Sequence, residues 1–221
     1  MCAARSHDAS FTGLPGTVGA TADAVRAMGR RALAVRCDIG NEDELRAMVD
    51  AAISELGGVD VLMNNAMAST RAPFVESSTG QWDESMSVNV RSLFVSAQAV
   101  LPSMRERGGG SIINMSSGAA DPHITGMPPG YLTYSVAKAA LERFSTALAG
   151  ELADVNIAVN ALRPGAVKTE QSEHELGADW DWTGWKEPES VVPSVVYLAA
   201  QRADGLTGRI VDSTQYGTVW P

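Results

Sequence analysis

Cysteine is scarce. Two in 221 residues, Cys2 and Cys37, build no disulfide framework, so a reducing, cytoplasmic setting is expected. Long apolar runs are missing too. None approaches the roughly 20 residues that a membrane helix needs. The first residues, Met1 to Asp8, lack the apolar centre of a secretory signal. Basic residues are outnumbered, 17 against 26 acidic ones, for a net charge of −9. That balance argues against a nucleic-acid partner. The three histidines, His7, His123 and His174, are scattered without ligand spacing, so no metal site is expected. No G-x-S-x-G is present, which removes the nucleophile elbow of a serine hydrolase. What remains is a chain with 45% hydrophobic and 19% charged residues. Such a chain buries a sizeable core, and disorder is excluded as its main state.

The pattern alternates strands and helices within one domain spanning 1–221. Residues 32–37 read as a short buried strand. Residues 41–56 read as a helix, because Leu45, Met48, Val49, Ala52, Ile53 and Leu56 recur at helical spacing. Asn41 offers its cap, and Gly57-Gly58 its stop. Residues 59–63 form a second strand. A long helix is expected over 81–107, with Pro102 kinking it late. Strands follow at 111–115, 157–162 and 209–212, with helices at 135–153 and 187–201. Helices between successive strands imply parallel crossovers. The expected fold is therefore α/β, a doubly wound parallel sheet with ligands beyond the carboxyl ends of its strands.

Tyr134 and Lys138 stand four apart at a helix start, hence on one face. A tyrosine titrates near ~10, and bringing it to neutrality takes about 4 kcal/mol. A neighbouring ammonium supplies part of that. Alone, the pair occurs often by chance. Its context narrows the reading: Ser116-Ser117 follows one strand, Asn64-Asn65-Ala66 the preceding one, Asn89 sits inside a helix, and Arg163-Pro164-Gly165 closes a later strand before Thr169. Each taken singly is an ordinary turn or cap. Together they fall at one edge of one sheet.

These residues resemble the short-chain dehydrogenase/reductases. The likeness runs from Cys37-Asp38-Ile39 through Asn64-Asn65-Ala66, Asn89-Val90, Asn114-Met115-Ser116-Ser117, Tyr134-x-x-x-Lys138 and Pro164-Gly165-x-Val167-x-Thr169 to Leu206-Thr207-Gly208. The resemblance implies a Rossmann-like fold and an NAD(P)-dependent oxidoreductase acting on a carbonyl or alcohol. It implies a tetrad of Asn89, Ser117, Tyr134 and Lys138. Tyr134 would move the proton, Ser117 hold the substrate oxygen, Lys138 lower the tyrosine pKa and bind the nicotinamide ribose, and Asn89 hold a relay water. Asp38, with Ile39, resembles the adenine-side contact, Asn65 and Ala66 the ribose side, and Pro164, Gly165, Val167 and Thr169 the nicotinamide-side loop. Arg5, after the family's second strand, favours NADP, with NAD as the other option. Ser6 is a helper there, and Asp8 a countercharge. A homo-oligomer is implied as well.

The departures lie mainly at the front. The family opens with a strand, a glycine-rich turn and a helix. Gly13, Gly16 and Gly19 look instead like a polar loop before a helix at 21–28, and Met1 to Ser6 like the end of the family's second strand. Without the first strand, a gap is expected between the strand at Ala32 and that at Val59, unless those strands pair anew. The expectation is a native protein longer than this chain; the opposing one is a non-catalytic remnant that binds a partner. Met67 replaces the usual glycine after Asn-Asn-Ala, where its bulk would bear on the cofactor or the substrate cleft. The stretch between Ser117 and Tyr134 is long and holds Pro122, Pro128 and Pro129. Residues 168–186 correspond to the substrate lid. Their Trp180, Trp182 and Trp185 suit either an apolar substrate body or a dimer contact.

Overall fold

The computed structural model describes residues 1–6, 14, 16–68, 71–124, 127–177 and 179–221. Its strands fall into two parallel sheets. In the smaller, β1 (Cys2–Ala4) pairs with β2 (Ala34–Arg36). The larger has the order β3 (Val61–Asn64), β4 (Gly110–Met115), β5 (Ile157–Arg163) and β6 (Ile210–Asp212). The sheet thus comes in two pieces. Among the described residues neither β1 nor β2 pairs with β3, so the gap expected between the Ala32 strand and the Val59 strand is present.

Sequence explains the larger sheet directly. Ile112, Ile113, Ile157, Val159 and Leu162 are all at most 1% exposed. A strand covered on both faces reads as a continuous apolar run, as β4 and β5 do. Neighbouring residues feed opposite faces. Ile112 packs with Met48, Val49, Val100 and Met104, whereas Ile113 packs with Leu198, Val211 and Trp220. The helices are α1 (Val18–Ala27), α2 (Glu42–Leu56), α3 (Thr79–Met86), α4 (Ser92–Glu106), α5 (Leu132–Glu151), α6 (Glu170–Leu176) and α7 (Val192–Ala199). Among them, α2, α4, α5 and α7 supply these faces.

Local signals set most helix ends. The Asn41 side chain accepts from the backbone N–H groups of Asp43 and Glu44 and starts α2. Gly57, at φ 92°, ends it in the left-handed region. Gly19 lies inside α1, which Thr17 caps, rather than in a loop before it. Residues 187–201 divide into a 3-10 turn at Pro188–Val191 and α7. The long helix expected over 81–107 is instead three pieces, because a π-helical turn at Ser87–Arg91 separates α3 from α4. The chain stays helical through Pro102.

Candidate active site

The π turn exists because Asn89 has partners outside its own helix. Its Nδ2 donates to the Ala68 carbonyl at 2.8 Å and to Ser85 Oγ at 3.2 Å. Its Oδ1 accepts from Ala68 N at 3.2 Å. The amide therefore imitates a strand neighbour for the loop leaving β3. Both of its N–H groups are used, so the Asn89 side chain clamps that loop. Wide helical turns of this kind cluster at functional sites.

β4 and α5 bring together the other three tetrad residues. Tyr134 lies in the first turn of α5, with Ser117 beside its phenol. Ser116 is excluded as the reactive hydroxyl, because it is buried and its Oγ donates to Glu142 at 2.6 Å. Ser117 Oγ accepts from the Ala119 N–H, which holds the serine at the start of a short 3-10 turn, Gly118–Ala120. Lys138 is 3% exposed. Its Nζ lies 5.6 Å from the centre of the Tyr134 ring and donates to the Met115 carbonyl at 2.7 Å.

Electrostatics differ from the sequence expectation. Burial pushes the Tyr134 phenol above its ordinary value; the Ser117 hydrogen bond and the Arg71 charge pull the other way. Arg71 and Lys138, the latter with its Nζ 5.6 Å from the ring centre, are thus both cations near the phenol. Burial also lowers Lys138, to about 8, since a desolvated ammonium is costly.

The cofactor-side residues form two groups. Arg5, Asp38, Ile39, Asn65 and Ala66 line one cleft of about 250 Å³ at the carboxyl ends of β1, β2 and β3, together with Ser6, Met67 and Gln171. Arg5 Nη1 lies 3.9 Å from Asp38 Oδ2, and Asp38 Oδ1 accepts from Gly40 N. Asp8 and Gly13 lie outside the described residues. A larger hollow, about 450 Å³, sits between the end of α2 and α4, far from these groups.

Pro164, Gly165, Val167 and Thr169 form the second group, beyond β5. Gly165 has φ +80°, and a Cβ there would meet Thr214 Cγ2 at 2.9 Å. Thr169 caps α6 by accepting from Ser172 N. Val167 bridges to Lys186 and so closes the base of the 168–186 segment. Within that segment Trp182 and Trp185 meet edge to face at 5.0 Å, and Lys168 lies over Trp182.

Sequence reasoning missed several contributors. Arg71 stacks on Tyr131 at 4.2 Å and pairs with Glu175 of α6 at 2.9 Å, while Tyr131 stands edge-on to Tyr134. These partners are too far apart in the chain for any spacing to show them. Asn64 is structural: it donates to Asn114, which donates to Ser145. Glu142 carried a signal, standing four residues after Lys138 and eight after Tyr134 on the same helix.

Comparison with known proteins places this geometry. The family model described as short chain dehydrogenase matches residues 14–178. A probable galactose dehydrogenase of Rhizobium meliloti is 42% identical over 137 residues, which are 62% of this chain and 52% of that protein. The chain therefore matches about half the length of that relative. Two solved structures carry bound cofactor. One is a blue fluorescent protein from a metagenomic library in complex with NADPH, at 30% identity and TM-score 0.78, covering 88% of this chain and 79% of that one. The other is a 7 alpha-hydroxysteroid dehydrogenase complexed with NADH and 7-oxo glycochenodeoxycholic acid, at 29% identity and TM-score 0.74, covering 88% and 78%.

Proposed function

Because the chain belongs to the short-chain dehydrogenase family, we propose that it is a nicotinamide-dependent oxidoreductase that interconverts an alcohol and a carbonyl. The observation carrying this reading is the grouping of the Tyr134 phenol, Ser117 beside it, and the buried Lys138 with its Nζ 5.6 Å from the ring centre. The residues fit a dinucleotide at both ends. The cleft holding Arg5, Asp38, Asn65 and Ala66 suits an adenosine and its ribose. The Gly165 turn, which has no room for a side chain, suits a flat ring lying close to backbone. The bound nicotinamide supplies hydride chemistry.

The chain's own residues do the rest. In the reducing direction Tyr134 gives its proton to the substrate oxygen, and in the oxidising direction it takes that proton back. Ser117 donates a hydrogen bond to the same oxygen, which fixes it against the phenol. Lys138, buried with its Nζ 5.6 Å from the Tyr134 ring, would hold the ribose of a bound nicotinamide and favour the phenolate. Asn89 fixes the loop that carries Asn65 and Ala66.

Arg5 and Ser6 beside the adenosine cleft favour a 2′-phosphate, so the preferred cofactor is NADP. Residues 168–186 act as the lid, and their tryptophans favour a substrate with an apolar body. We place the protein in the cytoplasm, acting as a homo-oligomer on a small molecule, with neither nucleic acid nor membrane as partner. Among the described residues no helix is long and apolar enough to cross a membrane. The test is fluorescence titration with NADPH and NADH, followed by turnover of galactose, 7-oxo bile acids and simple cyclic alcohols. Binding of NADPH with turnover that Tyr134→Phe abolishes supports the reading. A folded protein that binds neither nucleotide overturns it.

A further inference from the structure

The loop carrying Ser117 is tied at both ends to one buried ion pair. Arg163 Nε and Nη2 donate to the two carboxylate oxygens of Glu142 at 2.7 and 2.8 Å. Glu142 also accepts from Ser116 Oγ at 2.6 Å, immediately before Ser117. Arg163 Nη1 donates to Asp121 Oδ2 at 3.0 Å, just past the 3-10 turn that Ser117 begins. The Glu142 side chain is 7% exposed and that of Arg163 19%.

The same pair reaches the other parts of the site. Glu142 lies one turn beyond Lys138 and two beyond Tyr134 on α5. Arg163 ends β5 and directly precedes Pro164, whose carbonyl accepts from Ser213 Oγ at 2.7 Å. Arg163 and Glu142 thus join the helix of Tyr134, the loop of Ser117 and the entry to the Gly165 turn. Fold stability alone has no need of a two-ended clamp. A buried pair generally contributes little net stability compared with apolar side chains of similar size.

We propose that Arg163, Glu142 and Asp121 are positioning residues that set the Ser117 hydroxyl against the Tyr134 phenol and lock that register to the Gly165 turn. The proposal rests on the oxidoreductase reading for its consequence, but not for its geometry. A bidentate guanidinium–carboxylate contact fixes angle as well as distance. With it in place, the α5 face and the β4 exit have no freedom to slide past each other. Asp121 adds the far end, its carboxylate held below the usual range by the His123 backbone N–H and by Arg163.

The test uses Glu142→Gln and Asp121→Asn in the full chain. Asp121→Asn breaks only the more exposed leg and leaves the buried pair intact, so it folds where Glu142→Gln fails. The direct readout is the Tyr134 ionisation midpoint, from tyrosinate absorbance of each variant minus its Tyr134→Phe counterpart. The groups facing the phenol are Ser117, Arg71, Tyr131, Glu175 and Lys138, and neither substitution removes any of them. Losing the Ser117 contact raises the midpoint, since that hydrogen bond lowers it. The second readout is steady-state kinetics with NADPH and the best substrate of the panel: kcat falls about tenfold while KM and NADPH affinity hold within twofold. Folded variants with an unchanged phenol midpoint overturn the proposal, even when they melt earlier. A wild-type protein that binds no nucleotide overturns the oxidoreductase reading instead, and the tyrosine titration still decides the positioning role.

Discussion

The two sheets differ in more than size. β4 and β5 are six and seven residues long and almost wholly buried, whereas β1 and β2 are three residues each, with no buried position. Ser117, Tyr134, Lys138 and the Arg163–Glu142 pair all stand on the larger sheet or its covering helices. Arg5, Asp38 and Ile39 stand at the end of the smaller one. Proton-handling groups thus sit on the well-buried half, and the adenosine cleft at the junction of the two sheets, beyond β1, β2 and β3. Chemistry needs placement to fractions of an ångström. A nucleotide contact tolerates more adjustment and contributes ordering energy of its own when it forms.

The sharpest way to separate the halves is Tyr134→Phe. Turnover should fall about 10²- to 10⁴-fold, while nucleotide titration and melting temperature stay near wild type. Loss of NADPH binding in that variant would mean that the two halves are not separable. Next comes packing. Ile113→Ala, at a fully buried position of β4, should cost about 2–5 kcal/mol in urea denaturation. Val35→Ala in β2 should cost less than about 1 kcal/mol. Equal costs would remove the contrast.

A pH series probes the burial of Lys138. It titrates near 8 in the folded protein, against 10.5 ordinarily. Below 8 both folded and unfolded chains hold the proton, so the full cost of burying the ammonium is present. From 8 to 10.5 the folded chain sheds it first, and that cost fades as pH rises. Lys138→Met should therefore melt several degrees higher at pH 7, with the gain shrinking toward pH 10. The smallest effect belongs to the small sheet. Arg5→Ala should weaken NADPH about tenfold and leave NADH unchanged, by fluorescence titration.

The same division governs what could be read from the chain. The larger sheet was legible because its determinants are contiguous: apolar runs at 111–115 and 157–162, an Asn41 cap, a Gly57 stop. Tyr134 and Lys138 were legible because one helix fixes their spacing. The π turn was not, because it depends on Asn89 meeting the backbone of Ala68, a contact across 21 residues. Arg71 escaped for the same reason, since its partners Tyr131 and Glu175 lie on other elements. Ser116 is occupied by Glu142, which leaves Ser117 as the free hydroxyl at this exit.

The π turn at Ser87–Arg91 also bears on how this chain tolerates changes in length. A wide turn holds one residue more than an α turn, and each helical residue advances about 100°. Deleting a single residue between Ser85 and Ser92 would let an unbroken helix form with α3 and α4 in phase, because the wide turn absorbs its extra residue locally. Composition would scarcely alter and helical content would rise, yet Asn89 would leave Ala68. Here an indel of one acts like a point mutation in the active site.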